Sequence, residues 1–422
     1  MLYDIGFLIF SIFYLPTLLF KGKLHMDFLE RFGLYSKTKR ELLSSDGEKI
    51  WIQAVSVGEV ALCRGLIKRL KERLPDTIIV ISTITKTGNN LAKKLFIDDA
   101  AIIYFPLDFS FVVKRVVRAI RPKCYIMVET EIWPNLLKEI ESARIPSILI
   151  NGRISDRSFG KYKLATFFLK KILEKVTLLC MQSGTDAERI IQLGAEKEKV
   201  RVTGSMKFDI EIDLKAKNAK NMGDILGLKE GDKLFVAGST HKGEEEAVLN
   251  VYNKLIKQFP DLRLLIAPRH VERAQEIEAL VRRFGFEGAR FSQLPRTPNP
   301  EPRTPIFILD TIGKLLNVYS VATLVFVGGS LARHGGQNPI EPAVFEKPIL
   351  FGPHMFNFKN IASEFLKNDA AIQVADELEL FEISAKVLQD AQRRAALGKN
   401  AGTVVSKNRG ATERNLKAIL EL

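Results

Sequence analysis

Cysteine, histidine and tryptophan are scarce in this chain of 422 residues, which contains three, five and two of them. Cys63, Cys124 and Cys180 are widely spaced and odd in number, so they form neither a zinc-binding pattern nor a disulfide framework. Each lies in an apolar stretch, which predicts buried thiols in a reducing compartment. The histidines show no HxxxH spacing, and we expect neither a structural metal ion nor a metal cofactor.

Acidic residues are also under-represented, with 49 Asp and Glu against 63 Lys and Arg, so the formal net charge is +14. Residues 110–123 carry five basic side chains and no acid. Such a surplus implies a polyanionic partner. Nucleic acid is disfavoured, because no RRM, KH or helix-turn-helix signature occurs and no aromatic residues alternate with the basic ones. An anionic membrane surface is the favoured partner, and a solvated basic face is the alternative.

A long apolar stretch opens the chain and is interrupted mainly by Asp4 and Pro16. Residues 1–20 are just long enough to cross a bilayer as a helix. Lys21 and Lys23 follow the apolar run, and no small-residue cleavage site is present, which is unlike a removable signal peptide. We predict an uncleaved N-terminal anchor at 1–22 with the rest of the chain on the cytoplasmic side. The alternative is a helix that packs on the first domain or lies in the membrane interface.

Short apolar runs alternate with helical patterns over the remaining chain, which is typical of parallel sheets covered on both faces. The predicted strands are 51–57, 77–83, 101–106, 124–129, 147–151, 234–240, 263–268, 305–310, 322–330 and 348–352. They predict an α/β protein of two doubly wound, Rossmann-like domains, 23–207 and 208–400, facing a cleft where ligands bind. Residues 401–422 are expected to form a helix that packs back on the first domain, and the proline-rich segment 297–305 a surface insertion.

Acidic side chains follow two predicted strands of the first domain. In SVGEV, at 56–60, Ser56 and Glu59 have the spacing of a helix capping box, and spacing alone favours that structural role over a general base. In VETEIWPN, at 128–135, Glu129 and Glu131 alternate and would lie on one side of an extended backbone. Helix capping is the alternative there as well, since Pro134 fits a first helical position.

The second domain contains a glycine-rich cluster, GGSLARHGGQNPIEPAVF, at 328–345. Gly328 and Gly329 follow a strand, and Asn338, Pro339 and Glu341 fit the N-cap, first and third positions of a helix. A helix N-terminus behind a glycine loop is suited to a nucleotide phosphate. Further candidates for the same ligand follow other strands or lie at the domain junction: Ser239 in GSTHKGEE, Arg269 and His270 in APRH, and Lys207 in GSMKFD.

These strings together resemble the bacterial Kdo (3-deoxy-D-manno-octulosonic acid) transferases, which are inverting glycosyltransferases of the GT-B class. The resemblance covers nearly the whole chain in the order WIQAVSVGEV, MVETEIWPNLL, NGRISDRSFGKY, GSMKFD, AGSTHKGEE, APRH, LDTIGKL and VGGSLARHGGQNPIEPAVFEKPILFGPHMFNF. It implies transfer of Kdo from CMP-Kdo to a lipid A precursor (lipid IVA) in lipopolysaccharide biosynthesis, at the cytoplasmic face of the inner membrane.

The resemblance also implies roles for the candidate residues. Glu59 would deprotonate the acceptor hydroxyl, and Glu129 or Glu131 would support acceptor binding or the transition state. The donor CMP would be held by Arg269, Gly329, Asn338 and Glu341. Acceptor phosphates or the Kdo carboxylate would be neutralised by Lys207, Arg153 and Arg157. No divalent metal is required, because basic side chains can offset the charge of a leaving group that already carries phosphate.

The chain departs from the family pattern at three positions. Gln53 replaces a common His, Gln337 interrupts the usual GGHNP string, and His334 stands where Arg is expected. Two alternatives to a Kdo transferase remain at this stage. One is another GT-B enzyme of envelope biosynthesis that uses a UDP-sugar, and the other is a non-catalytic, membrane-anchored nucleotide-binding protein.

Overall fold

The apolar runs of the sequence form the strands of two parallel sheets, each with seven strands, in a computed structural model of the chain. The structure describes residues 3, 4, 6–8, 26–209, 219–294 and 305–422. The chain divides into two units, Met1–Asp209 together with Arg409–Leu422, and Ile210–Asn408.

The sheet of the first unit has the strand order β3-β2-β1-β4-β5-β6-β7, and every neighbouring pair is parallel. Its strands are β1 (Lys49–Gln53), β2 (Ile78–Thr83), β3 (Ala100–Tyr104), β4 (Cys124–Val128), β5 (Ser147–Gly152), β6 (Leu178–Met181) and β7 (Val200–Val202). Along β1, Trp51 packs in the core on one face, and Ile50 and Ile52 pack in the core on the other. Burial on both faces explains why the strands are continuous apolar runs.

The helices of the first unit connect these strands and cover both faces of the sheet. They are α1 (Lys37–Ser44), α2 (Val57–Arg73), α3 (Lys86–Leu95), α4 (Ser110–Ile120), α5 (Pro134–Ser142), α6 (Asp156–Lys163), α7 (Thr166–Leu173) and α8 (Gly184–Gln192). A short 3-10 turn, Met206–Phe208, precedes the exit of the chain from this unit.

The sheet of the second unit has the order β10-β11-β9-β8-β12-β13-β14 and is also parallel. Its strands are β8 (Lys233–Thr240), β9 (Leu262–Pro268), β10 (Gly288–Arg290), β11 (Ile306–Ile308), β12 (Leu324–Val327), β13 (Ile349–Phe351) and β14 (Ile372–Gln373). The accompanying helices are α9 (Ala219–Ile225), α10 (Glu244–Leu255), α11 (Ala274–Arg283), α12 (Leu315–Val321), α13 (Ile340–Ala343), α14 (Lys359–Lys367), α15 (Glu377–Gln389) and α16 (Ala391–Asn408).

The chain returns to the first unit through α17 (Ala411–Leu420), whose apolar side chains join the core beside α2. The Asp209 carboxylate fixes the start of α17, because it accepts hydrogen bonds from the Gly410 N–H at 2.7 Å and the Thr412 N–H at 2.5 Å. A segment boundary at 401 is therefore wrong: α16 continues to Asn408, and the return begins at Arg409.

The predicted anchor at 1–22 and the predicted insertion at 297–305 fall almost wholly outside the described residues, and both stay predictions. Of the anchor, the structure describes residues 3, 4 and 6–8, which are helical. Within the described part of the chain, no helix has the length and apolar character needed to cross a membrane.

Candidate active site

Each sheet has a topological switch point, where the strand order reverses and the loops that follow two neighbouring strands diverge. In the first unit it lies between β1 and β4, which pair in parallel from Ile50–Cys124 to Gln53–Met127. In the second unit it lies between β8 and β12. Loops at the carboxyl ends of such strands carry ligand sites in open α/β sheets, and most of the predicted site residues lie there.

Glu59 is the third residue of α2, three residues beyond the N-cap Ser56, and it is only 9% exposed. Its carboxylate accepts hydrogen bonds from the Val55 N–H at 2.6 Å and from the Ser56 hydroxyl at 2.8 Å. Neither hydrogen bond of a capping box forms: the Ser56 side chain accepts none from the first turn of α2, and Glu59 accepts from the N–H of Val55 and not from that of Ser56. The Ser56 hydroxyl donates to the Glu59 carboxylate instead.

The environment of Glu59 raises the pKa of its carboxyl group to about 7. Burial is the largest cause, and the nearby carboxylates of Glu129 and Glu131 act in the same direction, whereas the two hydrogen bonds oppose it. A buried acid next to two like charges binds a proton more tightly than an exposed one. Glu59 can therefore exchange a proton near neutral pH, as a general base must.

The pH dependence of catalysis should report this group. Glu59 must be ionised to accept a proton, so we expect the pH profile of kcat/KM to have an ascending limb that ends near pH 7. Below that pH, kcat/KM should rise about tenfold per pH unit, and above it kcat/KM should level off. Glu129→Gln removes a like charge and should move the limb to lower pH. Initial rates between about pH 5 and about pH 9 would check this. A limb near the ordinary carboxyl pKa in the wild-type chain would contradict it.

Glu129 follows β4 directly in a left-handed conformation, with φ of 60°. That conformation is costly for a residue with a side chain and persists where the surrounding structure holds it. The Lys207 ammonium lies 3.5 Å from Glu129 Oε1, and the Glu129 N–H donates to the Ile150 carbonyl at 3.0 Å. Lys207 thus lies beside the acid cluster of Glu59, Glu129 and Glu131.

Glu131 is held by the indole of Trp133, whose Nε1–H donates to its carboxylate at 3.1 Å. Burial and the charge of Glu129 raise its pKa. Alternation along an extended backbone, the basis for predicting that Glu129 and Glu131 share one side, does not apply here, because β4 ends at Val128 and Glu129 turns left-handed. Both carboxylates still act on Glu59 electrostatically.

Arg153 and Arg157 lie around the start of α6, near the carboxyl end of β5. The Arg153 N–H donates to the Thr130 hydroxyl at 3.2 Å, which ties this loop to the Glu129–Glu131 segment. Arg157 is exposed on α6. Sequence reasoning missed Asn151 at the end of β5: it is fully buried with φ of 53°, and its Nδ2 lacks a hydrogen-bond partner among the described residues.

In the second unit, three histidines from three separate loops come together. The rings of His241 and His334 stack with 4.1 Å between centroids, and the ring of His270 lies 6.0 Å from that of His241. Gln337 contributes an amide, whose Nε2 is 3.2 Å from His241 Nε2. Burial lowers the pKa of His241, and the neighbouring His334, His270 and Arg269 lower it further. Each imidazole can donate a ring N–H, so the cluster offers hydrogen-bond donors to an anion, and a bound anion would raise the pKa of His241.

The glycine-rich loop is shaped by close backbone approach. A Cβ at Gly328 would lie 2.6 Å from Thr240 Cα and 2.7 Å from the carbonyl oxygen of Ser239, which itself has φ of 56°. Gly329 has φ of 68°, a conformation that favours glycine. The absence of side chains here therefore lets the loop pack against the end of β8.

Asn338 makes the predicted N-cap hydrogen bond, although the assigned helix begins one residue later than predicted. Helix α13 covers only Ile340–Ala343, and its N-cap is Pro339. The Asn338 side chain accepts from the Ile340 N–H at 3.1 Å and donates to Glu341 at 3.3 Å. Burial raises the pKa of Glu341. So short a helix has little of the summed dipole on which a phosphate site at its N-terminus depends.

Glu244 is a site residue that sequence reasoning missed. It begins α10 and is 2% exposed, and its carboxylate accepts hydrogen bonds from main-chain N–H groups of the glycine-rich loop. In the sequence it belongs to the acidic run GEEE, which indicates ordinary first-turn acids. The only sequence signal for its role was that Gly243 and Glu244 follow shortly after the end of β8. The described residues contain no group of three or more His, Cys, Asp or Glu side chains that could hold a metal ion.

Comparisons with known proteins identify the family. Residues 26–210 match the family model described as 3-deoxy-D-manno-octulosonic-acid transferase (kdotransferase). The chain is 32% identical to a 3-deoxy-D-manno-octulosonic acid transferase of Haemophilus influenzae, over 92% of this chain and 89% of the relative. It is 31% identical to an enzyme with that name from Chlamydophila psittaci, over 94% of this chain and 90% of the relative. The chain belongs to the Kdo transferase family.

Family membership confirms the predicted glycosyltransferase of lipopolysaccharide biosynthesis. The fold of this Kdo transferase also matches solved structures. UDP-GlcNAc 2-epimerase from Neisseria meningitidis superposes with a TM-score of 0.62 over 89% of this chain and 100% of that one, at 11% identity. That likeness concerns the fold alone. It confirms the predicted α/β architecture with two parallel sheets of the GT-B type.

Proposed function

We propose that this Kdo transferase moves Kdo from CMP-Kdo to a lipid A precursor, lipid IVA, with inversion at the anomeric carbon and without a metal ion. The observation that carries the proposal is the Glu59 carboxyl group, which lies at the switch point of the first sheet with a pKa raised to about 7. A base of that pKa is partly ionised at neutral pH and still basic enough to take a proton in the transition state.

In the proposed step, Glu59 takes the proton of an acceptor hydroxyl while the hydroxyl oxygen forms a bond to the anomeric carbon of Kdo. The bond from that carbon to the phosphate oxygen of CMP breaks on the opposite face, and its electron pair leaves with CMP. Glu129 and Glu131 orient the acceptor and keep Glu59 basic. Lys207, 3.5 Å from Glu129, binds an acceptor phosphate together with Arg153 and Arg157.

The donor is assigned to the second unit. Arg269 and His270 follow β9, and His241 and His334 extend the same set of donors, which suits a phosphate or a carboxylate. Asn338 and Glu341 offer an amide and a carboxyl group to ribose hydroxyls, and Ser239 adds a hydroxyl at the end of β8. Basic side chains that offset the charge of the departing CMP would make a divalent cation unnecessary.

A row of aromatic rings on the first unit supports membrane association. Tyr3 stacks on Phe168 with 6.4 Å between centroids, and on Phe7 with 6.0 Å. Phe7 meets Phe109 edge to face at 4.9 Å, and Phe109 stacks on Phe111 at 5.7 Å. The row thus connects the first residues of the chain to α4 and α7.

Exposed apolar side chains lie at one end of the row and next to the other end in sequence, and one of them has a lysine over its ring. Phe111 is 61% exposed and Phe167 78%, and Leu164 in the turn before α7 is 92% exposed. The Lys171 ammonium lies 4.4 Å from the Phe167 ring centroid. Aromatic side chains beside lysines fit the interface of an anionic bilayer. We therefore propose that the enzyme works at the cytoplasmic face of the inner membrane, with this surface against the lipid.

One incubation tests the proposed function. Purified full-length protein is given CMP-Kdo and the tetraacylated lipid A precursor, and the product is read by mass spectrometry. We expect the acceptor to gain the mass of Kdo, and to gain it faster in anionic vesicles than in zwitterionic ones, because the basic surface is attracted to anionic lipid. A UDP-sugar donor serves as the control. Transfer from UDP-sugar alone, or no transfer from CMP-Kdo, would overturn the proposal.

A further inference from the structure

The glycine-rich loop after β12 is folded around a buried carboxylate that comes from another part of the second unit. Glu244 Oε2 accepts hydrogen bonds from the Gly329 N–H at 2.6 Å and the His241 N–H at 2.9 Å. Its Oε1 accepts from the N–H groups of Ser330, Leu331 and Ala332 at 2.9, 2.9 and 3.2 Å. Five main-chain donors converge on one carboxylate, in the manner of an anion-binding nest.

Two further main-chain hydrogen bonds connect residues 329–332 to the following segment of the loop, which contains proposed donor-binding residues. The Ala332 carbonyl accepts from the His334 N–H at 2.7 Å, and the Gly329 carbonyl accepts from the Gly336 N–H at 2.7 Å. The hydrogen bonds at 329–332 therefore fix the main-chain position of His334, whose ring stacks on His241. They also fix the position of Gly336, which precedes Asn338 by two residues. A change at Glu244 would reach these residues through two or three hydrogen bonds.

We propose that Glu244 is a positioning residue for donor binding: it holds the loop at 329–332 in its binding shape and occupies the main-chain N–H groups that the glycine motif alone would offer to a phosphate. The inference rests on the proposed function of this site. It also assigns the donor anion to side chains, namely Arg269 and the histidines, and not to the amides of Gly329 and Ser330.

The chemistry of the five donors requires a carboxylate. An ionised carboxylate only accepts, and its two oxygens provide about four lone-pair sites. In Glu244→Gln, one oxygen becomes an NH2 group that faces main-chain donors and leaves at least two of them unsatisfied. Unsatisfied buried donors destabilise the folded loop, and we expect the loop to rearrange rather than keep them.

The kinetic test compares full-length Glu244→Gln with Glu246→Gln, which changes an exposed side chain of the same helix. We expect a rise of about tenfold in both the KM for CMP-Kdo and the Kd of CMP, because the rearranged loop must regain its binding shape before the donor can bind. With donor at saturation, we expect kcat to stay within about threefold, because Glu244 touches no reacting atom. Unchanged KM and Kd, or a loss confined to kcat, would overturn the proposal.

A second measurement needs no variant and no activity. Hydrogen exchange of the wild-type chain without ligand should show the amides of 329–332 protected, because a buried carboxylate already accepts from them. Exchange as fast as in an open loop, with protection only after CMP is added, would show that the ligand and not Glu244 occupies these amides. Because this result does not depend on transfer, it separates failure of the inference from failure of the proposed function.

Discussion

Replacing Glu59 by glutamine is expected to lower kcat for Kdo transfer by a factor of about 10²–10⁴, the usual loss when a general base is removed. The amide cannot accept the acceptor proton, although its shape is nearly the same. It can still accept one of the hydrogen bonds from Val55 and Ser56 that hold the carboxylate now. The expected result is therefore a folded protein that binds CMP and does not transfer Kdo.

The matched control for this variant is Glu72→Gln, which changes an exposed carboxylate on the same helix α2. It should transfer Kdo at the wild-type rate. Thermal unfolding of both variants checks the fold, and calorimetric titration with CMP checks the donor site. Transfer by Glu59→Gln within a few fold of wild type would remove Glu59 from the role of base.

Replacing Arg269 by methionine is expected to raise the KM for CMP-Kdo about 10–100-fold, because a hydrogen bond to a charged group contributes about 1.5–3 kcal/mol. Arg269 is exposed at the end of β9, and its N–H donates to the Thr240 carbonyl at 2.9 Å, which holds the two strand ends together. Methionine keeps that main-chain bond and removes the guanidinium. With donor at saturation, kcat should change little.

The control for Arg269 is Arg283→Met, which removes an exposed charge from α11. It should leave the KM for both substrates unchanged. An Arg269→Met enzyme with a normal KM for CMP-Kdo would show that the donor anion is bound elsewhere. A raised KM for the lipid acceptor alone would place Arg269 in the acceptor site.

The architecture was largely predictable because buried parallel strands are continuous apolar runs. The runs around Ile52 and Val236 are unambiguous for this reason. Strands β6, β7, β10 and β14 were not predicted, and each has between two and four residues. β7 reads Val-Arg-Val at the edge of its sheet, where burial no longer imposes an apolar pattern. The strand predicted at 51–57 ends at Gln53, because the chain must turn there to begin α2.

The candidate site was predictable where a residue follows a strand and not where it depends on distant loops. Glu59, Glu129 and Arg269 each lie at or just after a strand end, and the switch point of each sheet explains that placement. The role of Glu244 was hidden, because its partners at 329–332 are more than eighty residues away in sequence. The stack of His241 on His334 was not predictable for the same reason, since these two residues are also far apart in sequence. Such contacts depend on strand order, which periodicity does not encode.

The most direct test of the account measures initial rates against CMP-Kdo concentration for Glu59→Gln and Arg269→Met side by side. The account assigns the proton transfer to a carboxylate of the first unit and the donor anion to side chains of the second. It predicts that Glu59→Gln lowers kcat with an unchanged KM, and that Arg269→Met raises KM with an unchanged kcat. A Glu59→Gln enzyme with normal kcat and a raised KM for CMP-Kdo would contradict it.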